Sequence, residues 1–245
     1  IFYLTLFFLG SVLMRSAGCI VNDILDKKFD KKVSRTKDRP LASNKISIGV
    51  AIIYVLILCF LALIVLLNFN IFTIALALGS MPLAFTYPLM KRFTYWPQLF
   101  LGITFNYGLI LGWTAISGEL NIIPIIFYFG AIFWTLGYDT IYGYQDIKDD
   151  EIIGLKSTSI KFKDKSKIFL FICYSVLILT LILGGYLMNF SSLYFLFLTI
   201  PIIHLFYYQI RLFNSKSSTI CLKLFKSNNL FGLIILLNIL LGKFY

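Results

Sequence analysis

Residues 122–150 read IIPIIFYFGAIFWTLGYDTIYGYQDIKDD, a long apolar run that ends in acidic residues. An α-helix needs about 20 apolar residues to cross the hydrocarbon core of a bilayer, and this run is long enough. The first apolar run of the chain ends in a similar way, in Asn22-Asp23-Ile24-Leu25-Asp26-Lys27-Lys28-Phe29-Asp30. Carboxylates at the end of a membrane-crossing helix are costly, so each cluster predicts a functional site.

The composition agrees with a membrane protein, because 59% of the 245 residues are hydrophobic and only 13% are charged. Backbone polar groups cannot reach water inside the hydrocarbon core, so such a chain crosses it as helices. The sequence predicts an all-α, polytopic membrane helical bundle. Its eight predicted transmembrane helices lie at approximately 1–24, 46–67, 71–90, 98–118, 122–146, 167–188, 192–209 and 227–244.

The positive charge of the chain is confined to alternate loops. The formal net charge is +11, and all but two of the 22 Lys and Arg residues lie in 27–45, 91–92, 148–167 and 211–226. This alternation follows the positive-inside rule and argues against a nucleic-acid partner. It predicts a multi-pass protein embedded in the lipid bilayer of a bacterial or mitochondrial inner membrane. The basic loops would face the cytoplasm or matrix, and both ends of this chain the other side.

The two acidic clusters are related by a constant offset of 120 residues, which also relates two Tyr-x-x-x-basic pairs. The matched positions are Asp26 with Asp146, Asp30 with Asp150, Tyr87 with Tyr207 and Lys91 with Arg211. Four helices separate the copies, so both have the same orientation in the membrane. We therefore predict one intramembrane domain over 1–245, built from two parallel four-helix repeats of approximately 1–120 and 121–245.

Helical geometry groups the acids of each cluster. Each residue of an α-helix advances by about 100°, so positions i, i+4 and i+8 fall within about 80° of one another. Asn22, Asp26 and Asp30 have this spacing, and Asp146 and Asp150 share a face in the same way. Oxygen ligands with room for water and phosphate suit Mg²⁺. Helix capping or pairing with nearby lysines is the alternative, and it accounts for Asp38 and for either Asp149 or Glu151.

Basic residues beside the acidic clusters indicate a phosphate ligand. Arg35, Arg39 and Lys91 are placed to meet phosphates that a metal ion holds. Fixed cations near metal ions can stabilise a diphosphate leaving group as negative charge develops on it. A lipid-soluble diphosphate is therefore the predicted ligand.

The acidic and basic residues belong to three longer sequence signatures. The first is Arg15-Ser16-Ala17-Gly18-Cys19, Asn22-Asp23-x-x-Asp26-x-x-x-Asp30 and Arg35-x-x-x-Arg39-Pro40-Leu41. The second is Tyr87-Pro88-x-x-Lys91-Arg92. The third is Tyr138-Asp139-Thr140-x-Tyr142-x-x-Gln145-Asp146-x-x-Asp149-Asp150, followed by Gly154-x-Lys156-Ser157-Thr158. Together they resemble the signatures of the UbiA superfamily of intramembrane prenyltransferases, and within it the members that prenylate 4-hydroxybenzoate.

The resemblance implies a role for each matched residue. It implies that one Mg²⁺ is bound by Asn22, Asp26 and Asp30, and a second by Asp146 and Asp150. It implies that the diphosphate contacts Arg35, Arg39, Tyr87 and Lys91. Asp23 and Asp139 also match motif positions, and we predict that these two are catalytic and orient the phenol of the acceptor.

The activity implied by the resemblance is Mg²⁺-dependent transfer of a polyprenyl group from polyprenyl diphosphate to the aromatic ring of 4-hydroxybenzoate. Diphosphate is released, and the product belongs to ubiquinone biosynthesis. Other UbiA-type enzymes would share the metal sites but use naphthoate, homogentisate or haem as the acceptor. The family has nine helices and this chain begins at the counterpart of the second, so an inactive, N-terminally truncated copy is another alternative. A secondary transporter with paired acidic sites is an alternative of a different class. It would bind its ligand without releasing diphosphate.

Overall fold

A computed structural model describes residues 1–31 and 36–244. Over these residues the chain forms thirteen α-helices, two 3₁₀ turns and one π-helical segment. The α-helices are α1 Phe2–Asp30, α2 Ile48–Leu66, α3 Ile71–Thr86, α4 Met90–Phe93, α5 Pro97–Phe105, α6 Tyr107–Ser117, α7 Ile122–Gly143, α8 Ile147–Ile153, α9 Thr158–Lys161, α10 Ser166–Leu187, α11 Ser192–Phe197, α12 Thr199–Ile202 and α13 Ser218–Phe244. The 3₁₀ turns are Tyr87–Leu89 and Lys163–Lys165, and the π-helical segment is Ile203–Ile210.

The prediction of an all-helical membrane bundle is confirmed. In the described part of the chain, eight helical stretches are long and apolar enough to cross a membrane. They are α1, α2, α3 with α4, α5 with α6, α7, α10 with its preceding 3₁₀ turn, α11 and α12 with the π-helical segment, and α13. The protein is therefore an integral, multi-pass membrane protein.

Several helix ends differ from the prediction. Helix α1 continues to Asp30, so the whole first acidic cluster is helical. Helix α7 ends at Gly143, and Asp146 is the N-cap residue of the separate helix α8. The predicted span over 122–146 is therefore too long at its end, because the chain leaves the helix before Asp146. Helix α13 begins at Ser218, nine residues before the predicted start. The prediction placed the start too late because it followed hydropathy, and the first turns of the helix carry charged residues.

The first compact unit comprises Ile1–Leu89 and Leu111–Leu120. Asn70 organises one end of it, because its Oδ1 accepts a hydrogen bond from the Thr73 amide and thereby caps α3. Its Nδ2 donates to the Thr114 carbonyl oxygen at 2.8 Å. The buried Thr73 and Thr114 hydroxyls are 3.0 Å apart. These bonds join α3 to the second half of α6 and pair the polar groups of Asn70, Thr73 and Thr114 within an apolar surrounding.

The second compact unit comprises Met90–Ile110 and Asn121–Tyr245. Helices α7 and α10 pack closely within it, because Gly137 has no side chain where the Tyr174 ring lies. Small residues allow such close approach between membrane helices. The Tyr174 hydroxyl donates to Gln209 Oε1, and Gln209 Nε2 donates to Asn228 Oδ1 at 3.0 Å. This buried polar chain connects α10, the π-helical segment and α13.

The fourth span is interrupted at Asn106, which separates α5 from α6. The Asn106 Nδ2 atom donates to the Ala131 carbonyl oxygen at 3.1 Å and to Thr135 Oγ1 at 2.8 Å. Both acceptors lie on α7, so hydrogen bonds to this continuous helix stabilise the interruption between α5 and α6. The predicted division into repeats of 1–120 and 121–245 stays a prediction.

Candidate functional site

The first acidic cluster lies on the last turns of α1, in the first compact unit. Asp26 is 2% exposed and Asp30 is 8% exposed, whereas Asn22 and Asp23 are half-buried. Because α1 is continuous through Asp30, the predicted spacing of Asn22, Asp26 and Asp30 on one helical face applies. Carboxylates buried to this degree require compensation by hydrogen bonds, cations or metal ions.

Arg39 connects two acids of this cluster. Its Nη1 atom donates to Asp23 Oδ1 at 2.9 Å and to Asp30 Oδ2 at 3.1 Å. Asp23 and Asp30 are seven residues apart on α1, which places them about 20° from each other around the helix. A planar guanidinium is well suited to such charge-assisted pairs. The contact brings together three residues that the sequence predicted for the site.

The loop that carries Arg39 is bonded to α1 on the side before Arg39 and folds into a turn on the side after it. The Thr36 hydroxyl donates to the Asp30 carbonyl oxygen at 3.1 Å, and the amide of Lys45 donates to the Pro40 carbonyl oxygen at 2.9 Å. Leu41, between them, is 5% exposed. This anchoring fixes the guanidinium over α1. Arg35, which the sequence also predicted for the site, lies outside the described residues.

The second acidic cluster lies at the start of α8, in the second compact unit. The Asp150 amide donates to the Asp146 carbonyl oxygen at 2.9 Å, so these two acids are one helical turn apart. Gly154 ends α8 with φ of +80°, a left-handed conformation that favours glycine. The turn lets the Leu155 amide donate to the Asp150 carbonyl oxygen at 2.9 Å.

The residue after this turn is bonded to the segment that contains Lys91. The Lys156 amide donates to the Lys91 carbonyl oxygen at 2.8 Å, and Lys156 Nζ donates to the Phe93 carbonyl oxygen at 3.2 Å. Lys91 lies on α4, directly after the 3₁₀ turn that begins at Tyr87. The backbone of the predicted phosphate-binding lysine is thus connected to the loop that follows the second acidic cluster.

Buried polar residues that the sequence did not predict hold this loop in place. The Thr158 amide donates to Gln98 Oε1 at 3.0 Å, and the Thr140 and Thr158 hydroxyl oxygens are 2.6 Å apart. The Ser159 hydroxyl donates to the Thr140 carbonyl oxygen at 2.8 Å. Two features of the sequence could have indicated these contacts. Gln98 is a polar residue in the first turn of an apolar span, and Ser157, Thr158 and Ser159 are three consecutive hydroxyl residues. Their effect is to position α8 relative to the end of α7.

Gly143→Ala is expected to destabilise this arrangement by about 1–3 kcal/mol. A Cβ atom at position 143 would collide with the Ser159 hydroxyl, and moving that hydroxyl breaks its bond to Thr140. Thermal unfolding in detergent measures the loss. The double variant Gly143→Ala/Ser159→Ala should be less destabilised than the sum of the single variants, since the collision is gone. Strict additivity would contradict this interpretation.

Asp139 lies on α7, one turn before the end of that helix. The two tyrosines near it in sequence pack on α13, because Tyr138 and Tyr142 have ring centroids 5.8 Å and 4.4 Å from that of Phe225. Tyr138 also packs on Trp134, whose indole N–H donates to Asn228 Oδ1 at 2.8 Å. These contacts fix the rotation of α7 at the position of Asp139.

The donor set of the two clusters fits Mg²⁺ in chemical type. Within residues 1–31 and 36–244, no three His, Cys, Asp or Glu side chains are grouped so as to hold a metal ion. Mg²⁺ is usually bound through one or two carboxylates, with water and substrate phosphates filling the other positions. Buried, oxygen-only donors such as Asp26 and Asp30 are compatible with that mode. The assignment of individual ligands stays a prediction.

Comparison with known proteins identifies the family. The model of the UbiA prenyltransferase family matches residues 1–235. The chain is 43% identical over 245 residues to 4-hydroxybenzoate geranyltransferase 2 of Lithospermum erythrorhizon, covering 99% of this chain and 79% of that one. It is 42% identical to the mitochondrial 4-hydroxybenzoate polyprenyltransferase of Homo sapiens, covering 100% of this chain and 66% of that one. The chain thus spans about two thirds of the human relative.

Solved structures share the fold. The apo structure of a UbiA homologue from Aeropyrum pernix K1 superposes with a TM-score of 0.80 at 21% identity, over 96% of this chain and 88% of the other. A UbiA homologue from Archaeoglobus fulgidus bound to GPP and Mg²⁺ superposes with a TM-score of 0.72 at 18% identity, over 99% and 87% of the two chains. The resemblance inferred from the sequence signatures is confirmed, and the chain belongs to the UbiA prenyltransferase family.

Proposed function

We propose that the protein transfers a polyprenyl group from polyprenyl diphosphate to the aromatic ring of 4-hydroxybenzoate, in a Mg²⁺-dependent reaction of ubiquinone biosynthesis. The observation that carries the proposal is the identity of 42–43% to the plant and human 4-hydroxybenzoate transferases over nearly the whole chain. The three signatures that carry the acids, Arg39 and Lys91 support it. The human relative is longer than this chain, which covers 66% of it. The activity of that whole protein is therefore carried over to this chain only as a proposal.

In this proposal the acidic clusters hold the metal ions. Asn22, Asp26 and Asp30 would bind one Mg²⁺, and Asp146 and Asp150 a second. Bound Mg²⁺ would neutralise the diphosphate and stabilise the charge that develops on it as a leaving group. The burial of Asp26 and Asp30 favours this role, because carboxylates removed from water interact more strongly with a cation.

The basic residues of the site bind the diphosphate in the same proposal. Arg39 is held by Asp23 and Asp30 through one nitrogen, Nη1. A guanidinium has five N–H donors, so an arginine held in this way can still donate to a phosphate. Lys91, Tyr87 and Arg35 complete the proposed set. The backbone bond between Lys156 and Lys91 positions Lys91 independently of its own side chain.

The proposed reaction is an aromatic substitution. The allylic C–O bond of the donor breaks, and its electron pair leaves with the diphosphate. A C–C bond forms between the allylic carbon and the ring carbon next to the acceptor hydroxyl, and that ring carbon then loses its proton. We assign Asp23 and Asp139 to orienting the acceptor phenol. The rings of Tyr138 and Tyr142 flank Asp139 in sequence and can shield a developing allylic cation.

An acceptor panel tests the proposed function. The chain, reconstituted in liposomes with Mg²⁺ and geranyl diphosphate, is offered 4-hydroxybenzoate, homogentisate, a dihydroxynaphthoate and haem separately. We expect prenylated 4-hydroxybenzoate as the main product, together with an equal amount of diphosphate. Preference for another acceptor would reassign the substrate within the family. Donor binding without turnover on any acceptor would favour an inactive copy, and uptake without diphosphate release would favour a transporter.

Lys91→Ala is expected to raise the KM for the prenyl donor by about 10- to 100-fold, the range lost with one charge-assisted hydrogen bond. The KM for the acceptor should change little, because Lys91 is assigned to the diphosphate alone. Initial-rate kinetics with each substrate varied in turn measure both constants. Lys91→Arg should recover much of the loss, and Lys148→Ala, at an exposed position of α8, should have little effect. A change confined to the acceptor KM would contradict the assignment.

The orientation in the membrane is also a proposal. We infer that the loops carrying the acidic clusters face the cytoplasm or matrix, since the basic residues concentrate in the same loops. Labelling of Cys variants placed at Ser43 and Glu119, which are exposed residues of opposite predicted sides, distinguishes the two orientations.

A further inference from the structure

The second compact unit has a basic groove at the end of its membrane spans. Its volume is about 530 Å³, and its polar lining includes Lys167, Arg211, Asn214 and Ser215. Lys167 lies in the first turn of α10, and Arg211 follows the last residue of the π-helical segment. The two cations therefore approach the groove from two different spans at one membrane boundary.

Exposed aromatic rings lie directly below each cation, toward the membrane interior. Phe171 is one turn deeper than Lys167 on α10 and is 55% exposed. Tyr207 is one turn deeper than Arg211 and is 62% exposed, with its ring centroid 4.8 Å from the guanidinium carbon. The two spans are in contact at this depth, because Phe171 and Phe206 have ring centroids 5.2 Å apart. Below the charged groove the two spans thus present exposed aromatic rings and contact each other through Phe171 and Phe206.

We propose that this groove binds the headgroup of an anionic phospholipid. The phosphate would lie between Lys167 and Arg211, and the Asn214 and Ser215 side chains can donate to its oxygens or to a headgroup hydroxyl. The acyl chains would lie along Phe171 and Tyr207, where a free phosphate ion would leave the apolar surface uncovered. Basic pockets between membrane helices on the positively charged side are suited to such headgroups.

The site is separate from the residues assigned to catalysis. Neither Lys167 nor Arg211 belongs to the predicted metal or diphosphate ligands. The predicted duplication pairs Arg211 with Lys91 and Tyr207 with Tyr87. On that interpretation, both copies of the Tyr-x-x-x-basic pair bind a phosphate. The first copy binds the diphosphate of the prenyl donor, and the second binds the phosphate of a lipid headgroup.

Native mass spectrometry of the full chain with added phosphatidylglycerol or phosphatidylcholine tests the proposal. The wild-type chain should retain one phosphatidylglycerol preferentially. Lys167→Gln/Arg211→Gln should bind it about 30-fold more weakly, as expected for the loss of two interfacial cations. Lys216→Gln/Lys223→Gln removes the same charge from exposed positions outside the groove lining, and should change binding by less than about threefold.

Four outcomes would overturn the proposal. Unchanged phosphatidylglycerol binding by the groove variant would exclude these two residues. An equal loss in the control variant would indicate general surface charge, and equal binding of phosphatidylcholine would exclude headgroup recognition. Displacement of the lipid by millimolar inorganic phosphate would indicate a site for free anions. Thermal unfolding of each variant in detergent confirms that it is folded, which both exposed double substitutions should allow.

Discussion

Asp26→Asn is expected to lower kcat for prenyl transfer by about 10²–10³-fold, the loss typical of removing one preorganised electrostatic contact. The substitution keeps the size of the side chain and removes its negative charge. Asp26 is the most deeply buried acid of the first cluster, at 2% exposure, so water cannot replace the lost charge effectively. The Mg²⁺ concentration required for half-maximal activity should rise by about 10- to 100-fold. Diphosphate release measured across a Mg²⁺ titration gives both quantities.

Asp38→Asn is the matched control for this variant. Asp38 is exposed on the loop between Thr36 and Arg39, and its substitution removes the same charge from the same region. It should leave the activity within about twofold of wild type, as expected for a screened surface charge. Near-normal turnover by Asp26→Asn would remove the first cluster from the metal assignment. Equal losses in both variants would point to regional charge.

Asp146→Asn is expected to reduce turnover by a similar factor, about 10²–10³-fold, with a loss of stability of no more than about 0.3–1 kcal/mol from removing a negative charge at the start of a helix. Asp146 is the N-cap residue of α8 but makes no side-chain capping bond, and asparagine is an equally good cap residue. A loss of activity therefore cannot be attributed to unfolding of α8. Diphosphate release and thermal unfolding, measured on the same preparation, separate the two effects.

Asp149→Asn provides a control within the same helix. Asp149 lies in the first turn of α8, where its charge favours the positive end of the helix by about 0.3–1 kcal/mol. The control should therefore lose a similarly small amount of stability but keep most of its activity, unlike Asp146→Asn. If the two variants exchanged these behaviours, the ligand would be Asp149, and the offset of 120 residues would have no bearing on the site.

Hydropathy was sufficient to predict the number of spans but not their interruptions. The break at Asn106 depends on hydrogen bonds to Ala131 and Thr135, which are more than 20 residues away in sequence. The late predicted start of α13 has a different cause. Lys223 and Lys226 lower the local hydropathy, yet a helix that extends beyond the hydrocarbon core has no need to be apolar.

The acids could be singled out from the sequence because charge is rare at the end of an apolar run, and their role as ligands stays a prediction. Their partners depend on long-range structure. The pairing of Arg39 with both Asp23 and Asp30 requires the chain to turn back over α1, and no local pattern specifies that turn. Gln98 and Thr158 form their bond across 60 residues, and nothing local in either segment identifies the other as its partner. The spacing of residues in a helix predicts which face of the helix they share. The residues that pack against that face are determined by the tertiary structure.

The pairing of Arg39 with Asp23 and Asp30 has a consequence for selectivity. Under the proposed role of Arg39, its Nη1 stays with Asp23 and Asp30, and the diphosphate accepts hydrogen bonds from Nη2 and Nε. The ligand is then close to two carboxylates, whose negative charge opposes its binding. A singly charged phosphate ester or a carboxylic acid gains too little from one guanidinium to overcome this repulsion. A ligand that brings several negative charges together with its own divalent counter-ions does overcome it, so Arg39 selects for ligands of high charge density.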